Sequence, residues 1–343
     1  MPGYFDESRL DDERALGAAD QLLRSLAESG ARVRREAAEA AEATTEAFER
    51  NRDNRPRAVI AAGPDSRLLR AVLEPWCPVP FVAWPGPGLP GWAGGLDLVV
   101  MLAPERSDPA AASAVAEAVR RGCQVVVASA PDSMVADHAA GRWTTILPSR
   151  SGDQLATAVV MLDYLHRVEL GPRTDAEEVA RALDDVAVAC SPHRDLAVNP
   201  AKVLAIALAD TNPLVWGGSV LAARAARRVA ESLRRAAGRG ALAGDAEHLL
   251  PVIRANRPRD LFADPVADAD DGDLRSVLLV LDDGSDEVPV REQRARLEEA
   301  AHDHDVRVET VAATDGEAVA RYAALLATGT WASAYLRVGL GRG

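Results

Sequence analysis

A chain of 343 residues is about two domains' worth at roughly 150 residues each, and 48% hydrophobic content is enough to bury ordinary cores, which excludes disorder for most of it. Thirty-nine basic against 52 acidic side chains leave a net charge of −13, a field that repels polyphosphate and excludes a general nucleic-acid binder. The longest aliphatic run, Val203 to Ala209, falls far short of the ~20 residues a membrane-spanning helix needs.

The N-terminus opens on Asp6, Glu7, Asp11, Asp12 and Glu13 rather than on a basic stretch leading into an apolar one, so a cytoplasmic protein without a secretory signal is expected. Cys77, Cys123 and Cys190 are odd in number and far apart, which fits neither a disulfide framework nor a metal site, and they read as buried thiols. Lys202 is the only lysine.

In chain order, residues 14–50 repeat apolar positions at three and four and predict a helical N-terminal arm. Arg57 to Gly63 is a short apolar strand closed by Gly63-Pro64-Asp65-Ser66, with a helix over 66–74. Strands follow at 80–84 and 96–102. A helix over 108–121 has Asp108 as N-cap and Pro109 at its first position. Then come a strand at 123–128, a short helix at 132–139 and a strand at 143–147. Helical spacing over 153–166, 175–189 and 200–210 predicts connecting helices. A second alternating set has strands at 212–216, 276–281 and 306–311, helices at 220–237, 289–304 and 316–338, and an irregular stretch over 254–273. Apolar strands alternating with amphipathic helices predict an α/β chain with two parallel sheets, each covered on both faces, and ligands bind such sheets outside the strand C-termini.

The loop Ala103-Pro104-Glu105-Arg106-Ser107-Asp108 feeds a strand into a helix N-terminus, where free N–H groups and the helix dipole favour an anion. Together with the Arg-Gly before the next strand, this spacing resembles the sugar isomerase (SIS) fold, whose corresponding loop is a Ser/Thr-rich phosphate cradle. Asn212-Pro213-Leu214-Val215-Trp216-Gly217-Gly218-Ser219 before an Arg/Ala-rich helix, and the ending from Trp331 to Leu340, resemble the bifunctional phosphoglucose/phosphomannose isomerases over roughly residues 15–340. The resemblance implies two tandem SIS-like domains at 51–170 and 211–343 packed around an interdomain cleft, an N-terminal arm at 1–50, connecting helices at 171–210, and a homodimer.

It also implies a site. Ser66, Arg106, Ser107, Ser129 and Ser133, with Gly217, Gly218 and Ser219, fall where the family binds its sugar phosphate. The family's base is a Glu late in the helix after the second glycine turn. Here that register holds Leu233-Arg234-Arg235, so the base is replaced and the chain is a degenerate member. Aldose–ketose isomerisation needs a carboxylate near the C1 and C2 protons and a group that opens the ring. Glu231, one turn before Arg234, and Glu247 are the alternative bases, with His248 for ring opening. Glu231 reads first as an exposed acid pairing with Arg227 or Arg235, and His248 divides evenly between a functional and a structural role.

His302 and His304 diverge as i, i+2 on a helix, so no metal site is expected, and no cofactor, because neither nucleotide-binding glycine loop is present. Two functions follow: a phosphosugar isomerase-like protein that binds a sugar phosphate with weak or lost catalysis, or a non-catalytic regulatory or scaffold protein of sugar-phosphate or sugar-nucleotide metabolism. Neither a membrane nor a nucleic acid is expected as partner.

Overall fold

The computed structural model describes residues 4–256 and 274–342. Most of the irregular stretch expected over 254–273 therefore lies outside the described residues. The chain divides into two compact units, Ser29–Arg181, and Met1–Glu28 with Ala182–Gly343. The helical arm comprises α1 (Glu13–Ala18), α2 (Asp20–Ala27) and α3 (Ser29–Asn51), of which α3 belongs to the first of these units.

That unit is built on β1 (Val59–Ala62), β2 (Phe81–Trp84), β3 (Leu98–Ala103), β4 (Gln124–Ser129) and β5 (Thr144–Pro148), all parallel in the order β2-β1-β3-β4-β5. Its helices are α4 (Ser66–Leu73), α5 (Pro109–Arg120), α6 (Met134–His138) and α7 (Gln154–Arg167). Strand side chains alternate between faces. Ile60, Val99, Met101, Val125 and Val127 meet Ala111, Val115 and Val135 of α5 and α6 on one face. Ala61, Val100, Leu102 and Val126 are equally buried on the other, where α7 packs on β3 and β4. Two covered faces explain why β3 reads as an unbroken apolar run rather than an alternation. The helix expected among the connectors at 153–166 is thus one of the layers of this unit.

The helix starts follow from local chemistry. Asp108 accepts the Ala110 and Ala111 N–H groups at 3.0 and 2.9 Å, Pro109 supplies a preset φ, and α5 stops before Gly122, whose φ of +71° suits a residue without a Cβ. A contact absent from any sequence pattern fixes the loop before α7. The buried Glu36 carboxylate of α3 accepts Arg150 N–H at 2.8 Å and Ser151 N–H at 2.5 Å, while Arg32 pairs with Asp153 at 2.9 Å. Below it, Asn51 donates to the Tyr164 hydroxyl at 3.0 Å.

The other unit holds β6 (Thr211–Gly217), β7 (Leu242–Ala243), β8 (Arg275–Asp282) and β9 (Arg307–Ala312), parallel in the order β7-β6-β8-β9. Its helices after α8 (Ala176–Ala189), which runs across the division, are α9 (Pro200–Leu208), α10 (Val220–Ala237), α11 (Ala246–Arg254), α12 (Val288–Asp303) and α13 (Ala318–Gly339). Leu214, Trp216, Leu278 and Val280 pack against α11 and α12 on one face. Strand β6 connects leftward to β7 through α10, whereas the crossovers holding α11 and α12 run rightward, so right-handed connections put α10 on the opposite face, where it packs with α13. Helix α11 carries Pro251 inside it and was not foreseen, although Ala246, Leu249, Leu250 and Ile253 keep the helical spacing. Cys123 and Cys190 are buried as expected, but Cys77 is only half-buried, because it follows the last turn of α4 on the way to an edge strand.

Lys202 ties this unit together. It is fully buried, and its ammonium donates to Asp11 Oδ1 at 2.5 Å, Arg194 O at 2.9 Å and Pro192 O at 3.0 Å, beneath the Tyr335 ring. All three donors are used, so the charge is compensated. Lys202→Met keeps the volume of the stem but orphans the carbonyls and Asp11, and should lower unfolding free energy by about 2–4 kcal/mol in urea denaturation.

Burial pushes the Tyr164 hydroxyl up to about 12, against a smaller opposing effect of its Asn51 bond. An unfolded tyrosine ionises near pH 10, so between about 10 and 12 the unfolded chain gives up a proton that the folded one keeps, and stability falls as pH rises. The loss is at most about 3 kcal/mol by linkage. Tyr164→Phe should flatten this alkaline limb in denaturant midpoints measured across the range, leaving the part due to Tyr335, which burial likewise pushes up.

Candidate functional site

The loops after β1, β3 and β4 bring Ser66, Arg106, Ser107, Ser129 and Ser133 to the C-terminal edge of the first sheet. Their environments differ. Ser107 is exposed, and Arg106 is exposed and paired with Asp132, whose carboxyl that guanidinium holds below its ordinary range. Ser133 caps α6 by accepting Ala136 N–H at 3.2 Å. Ser66, the first residue of α4, and Ser129, the last of β4, are fully buried, and neither hydroxyl has a hydrogen-bond partner among the described residues. One strand lies between β1 and β4, so the two hydroxyls sit along ~10 Å of sheet edge.

Four helices start at this edge, each with an N-terminus that could face an anion. Three are closed by the chain's own side chains: α5 by Asp108, α6 by Ser133, and α7 by Asp153, which accepts Leu155 and Ala156 N–H at 2.9 and 3.2 Å. Helix α4 differs, because its N-cap residue Asp65 makes no side-chain capping bond and turns its carboxylate to the Gln154 amide instead, while Ser66 and Leu68 N–H donate to the Gly63 and Asp65 carbonyls at 3.1 Å each. The Glu36 clamp sits on the same rim, since Ser149 N–H donates to Ser129 O at 2.9 Å immediately before the clamped Arg150. The predicted arm showed Glu36 only as one acid in an Ala/Glu run, and no sequence signal marks its partner as two loop amides.

At the C-terminal edge of the second sheet, Gly217, Gly218 and Ser219 form the turn into α10. A Cβ on Gly217 would run into the Ala222 backbone, and one on Gly218 into Val290 and Trp216, so close packing accounts for both glycines. Ser219 caps α10 by accepting Ala222 N–H at 3.0 Å, and its hydroxyl donates to Asp283. A cavity of about 420 Å³ opens beside the turn, lined by Trp216, Asp282, Asp283, Asp286, Arg291 and Arg294. Burial raises the Asp282 carboxyl, but the Gly284 N–H and Arg294 outweigh it and leave it below the usual range, so it is a carboxylate at neutral pH. Asp283 at the turn and the two other acids of the wall, Asp282 and Asp286, oppose an anion there. Asp283 could have been foreseen, since a parallel sheet brings the residue after its neighbouring strand to this turn.

The three predicted catalytic residues are not brought together. Glu231 lies ~17 Å along α10 from its start, held by Arg228 at 2.9 Å and Arg235 at 2.5 Å. Glu247 and His248 begin α11 on the opposite sheet face. A bond from Arg296 at 2.8 Å holds the Glu247 carboxyl below its usual range, which weakens it as a base. The His248 ring is largely exposed, 4.0 Å from Asp245. Arg234 donates to Ala241 O at 2.7 Å and anchors the turn after α10. Among the described residues, no three His, Cys, Asp or Glu side chains converge as metal ligands, and no helix is long and apolar enough to cross a membrane.

Residues 197–342 match the family described as the bacterial phospho-glucose isomerase C-terminal SIS domain. No curated protein sequence matches the chain. Among solved structures, the C-terminal domain of glucosamine-fructose-6-phosphate aminotransferase from Francisella tularensis superposes with TM-score 0.65 at 10% identity, over 93% of this chain and 96% of that one. Tagatose-6-phosphate ketose/aldose isomerase from Escherichia coli gives 0.60 at 12% identity, over 98% and 92%. A glucose-6-phosphate isomerase like protein from Thermus thermophilus gives 0.51 at 19% identity, over 82% and 81%. By fold the chain carries two tandem SIS-like domains, and its residues 197–342 match the bacterial phospho-glucose isomerase C-terminal SIS domain.

Proposed function

We propose that the protein binds a sugar phosphate at the C-terminal edge of its first sheet and retains weak aldose–ketose isomerase activity or none. One observation carries this reading: the buried hydroxyls of Ser66 and Ser129, both without a partner among the described residues, stand at the edge where only α4 among the helices lacks a side-chain cap. An unpaired buried hydroxyl costs free energy, and an incoming oxyanion recovers it. The three closed helix starts direct the phosphate toward Ser66 rather than toward Ser107, which lies beside Glu105 and Asp108.

Weak catalysis is supported by the state of the alternative bases. Glu231 is shared between two arginines and Glu247 is held by Arg296, so each would have to break an ion pair before taking a carbon-bound proton. By analogy with the family we place the protein in carbohydrate metabolism, as a cytoplasmic homodimer.

Isomerisation of fructose 6-phosphate to glucose 6-phosphate and mannose 6-phosphate, run beside ligand-dependent thermal melting, tests the reading. Fructose 6-phosphate should raise the melting temperature of the native chain with little turnover. Ser66→Ala and Ser129→Ala should leave the ligand-free melting temperature unchanged or slightly raised, since each removes an unsatisfied hydroxyl, yet should diminish the ligand shift. Turnover that disappears in Glu231→Gln or His248→Ala would restore a full enzyme. Absence of both turnover and shift would move the assignment to a regulatory or scaffold protein.

A further inference from the structure

Four of the six tryptophans are exposed, and three of them share one edge of one sheet. Trp76 ends the turn after α4 and leads toward the start of β2; Trp92 lies in the loop before β3; Trp143 immediately precedes β5. All three stand at the N-terminal edge of the first sheet, opposite the proposed phosphate site, with 66, 49 and 57% of their surface in solvent. The Trp92 carbonyl accepts a bond from Arg57, just before β1, and the Trp143 carbonyl one from Val125 N–H in β4, which fixes both at this end of the strands.

The edge is also basic, in a chain of net charge −13. The Arg57 guanidinium lies 5.8 Å from the Trp92 ring centre and that of Arg142 4.7 Å from the Trp143 ring centre, while Arg55 is exposed beside Arg57. Among the described residues, neither Arg55 nor Arg142 has a carboxylate partner. The nearby Asp97, paired with Arg57 at 2.6 Å, has its side chain wholly covered. Exposed tryptophan with arginine is the composition of interface hot spots.

We infer that this edge docks an acidic polypeptide segment of a partner protein, one that interleaves carboxylates with large apolar side chains. Length, charge and symmetry all favour that occupant. Five strands at ~4.8 Å make an edge of about 20 Å, which six or so extended residues span. Guanidinium groups beside exposed rings match carboxylates beside apolar side chains. A second copy presenting the same edge would set arginine against arginine, and a long polyanion would meet the repulsive field of the whole chain.

Fluorescence anisotropy of a labelled synthetic peptide alternating Asp and Glu with Leu and Phe, titrated with the full chain, tests this. The peptide should bind, more weakly at higher salt. Affinity should fall about tenfold or more in Trp92→Ser, in Trp143→Ser and in Arg142→Gln, and on replacing the peptide's acids by Asn and Gln. These side chains are exposed, and unchanged melting temperatures would show that the variants fold. The inference is overturned if the peptide does not bind, if the variants or the uncharged peptide bind as well, or if single-stranded RNA displaces the peptide through the same residues. The ligand shift with fructose 6-phosphate is an independent readout from the opposite edge, so either proposal can fail alone.

Discussion

The constraint on which the first unit depends is burial of its central strands on both faces. Ile60, Val99, Val100, Met101 and Val126 leave no surface on which a polar group could act, so chemistry is confined to the strand ends. Parallel strands make those ends unequal. Helix N-termini gather at one and helix C-termini at the other, so one edge offers N–H groups and the other carbonyls. The distribution of polar and aromatic residues described above follows this polarity: serines and capping acids at the first edge, tryptophans and arginines at the second.

The chain's own side chains answer much of the positive potential at the first edge. Asp108, Asp153 and Glu36 occupy backbone N–H groups that a ligand could otherwise take. A carboxylate fixed in this way stabilises its loop and also shapes selectivity, because an incoming anion meets like charge wherever the positions are taken. In the second unit Asp283 instead accepts the Ser219 hydroxyl and sets its charge directly at the glycine turn. The two sheets therefore share a topology around their glycine turns but differ in electrostatics, and family-level reasoning about one does not transfer to the other.

Fold class was legible because it rests on patterns that burial enforces. The apolar run of β3, the Asp108-Pro109 start of α5 and the Ser219 cap of α10 each have a local physical cause that a sequence displays. The site was legible only in outline. Ser66 and Ser129 could be placed at a strand end, but that their hydroxyls go unpaired depends on what every neighbour does. Glu231 is an ordinary acid in a helix, for which helical spacing offered Arg227 or Arg235 as partners; the ion pairs run to Arg235 and to Arg228, which the i±4 rule did not single out. Helix α11 hid behind Pro251, and the Glu36 clamp joins residues more than a hundred positions apart, beyond the reach of any window.

The burial of Lys202 has a practical consequence. It is the only lysine, so the folded chain exposes no side-chain amine to an acylating reagent, and modification there must wait for the surrounding helices to part. The rate of acylation at that one nitrogen would then report the opening of its unit directly. The protein carries a built-in probe of local unfolding that needs no engineered label.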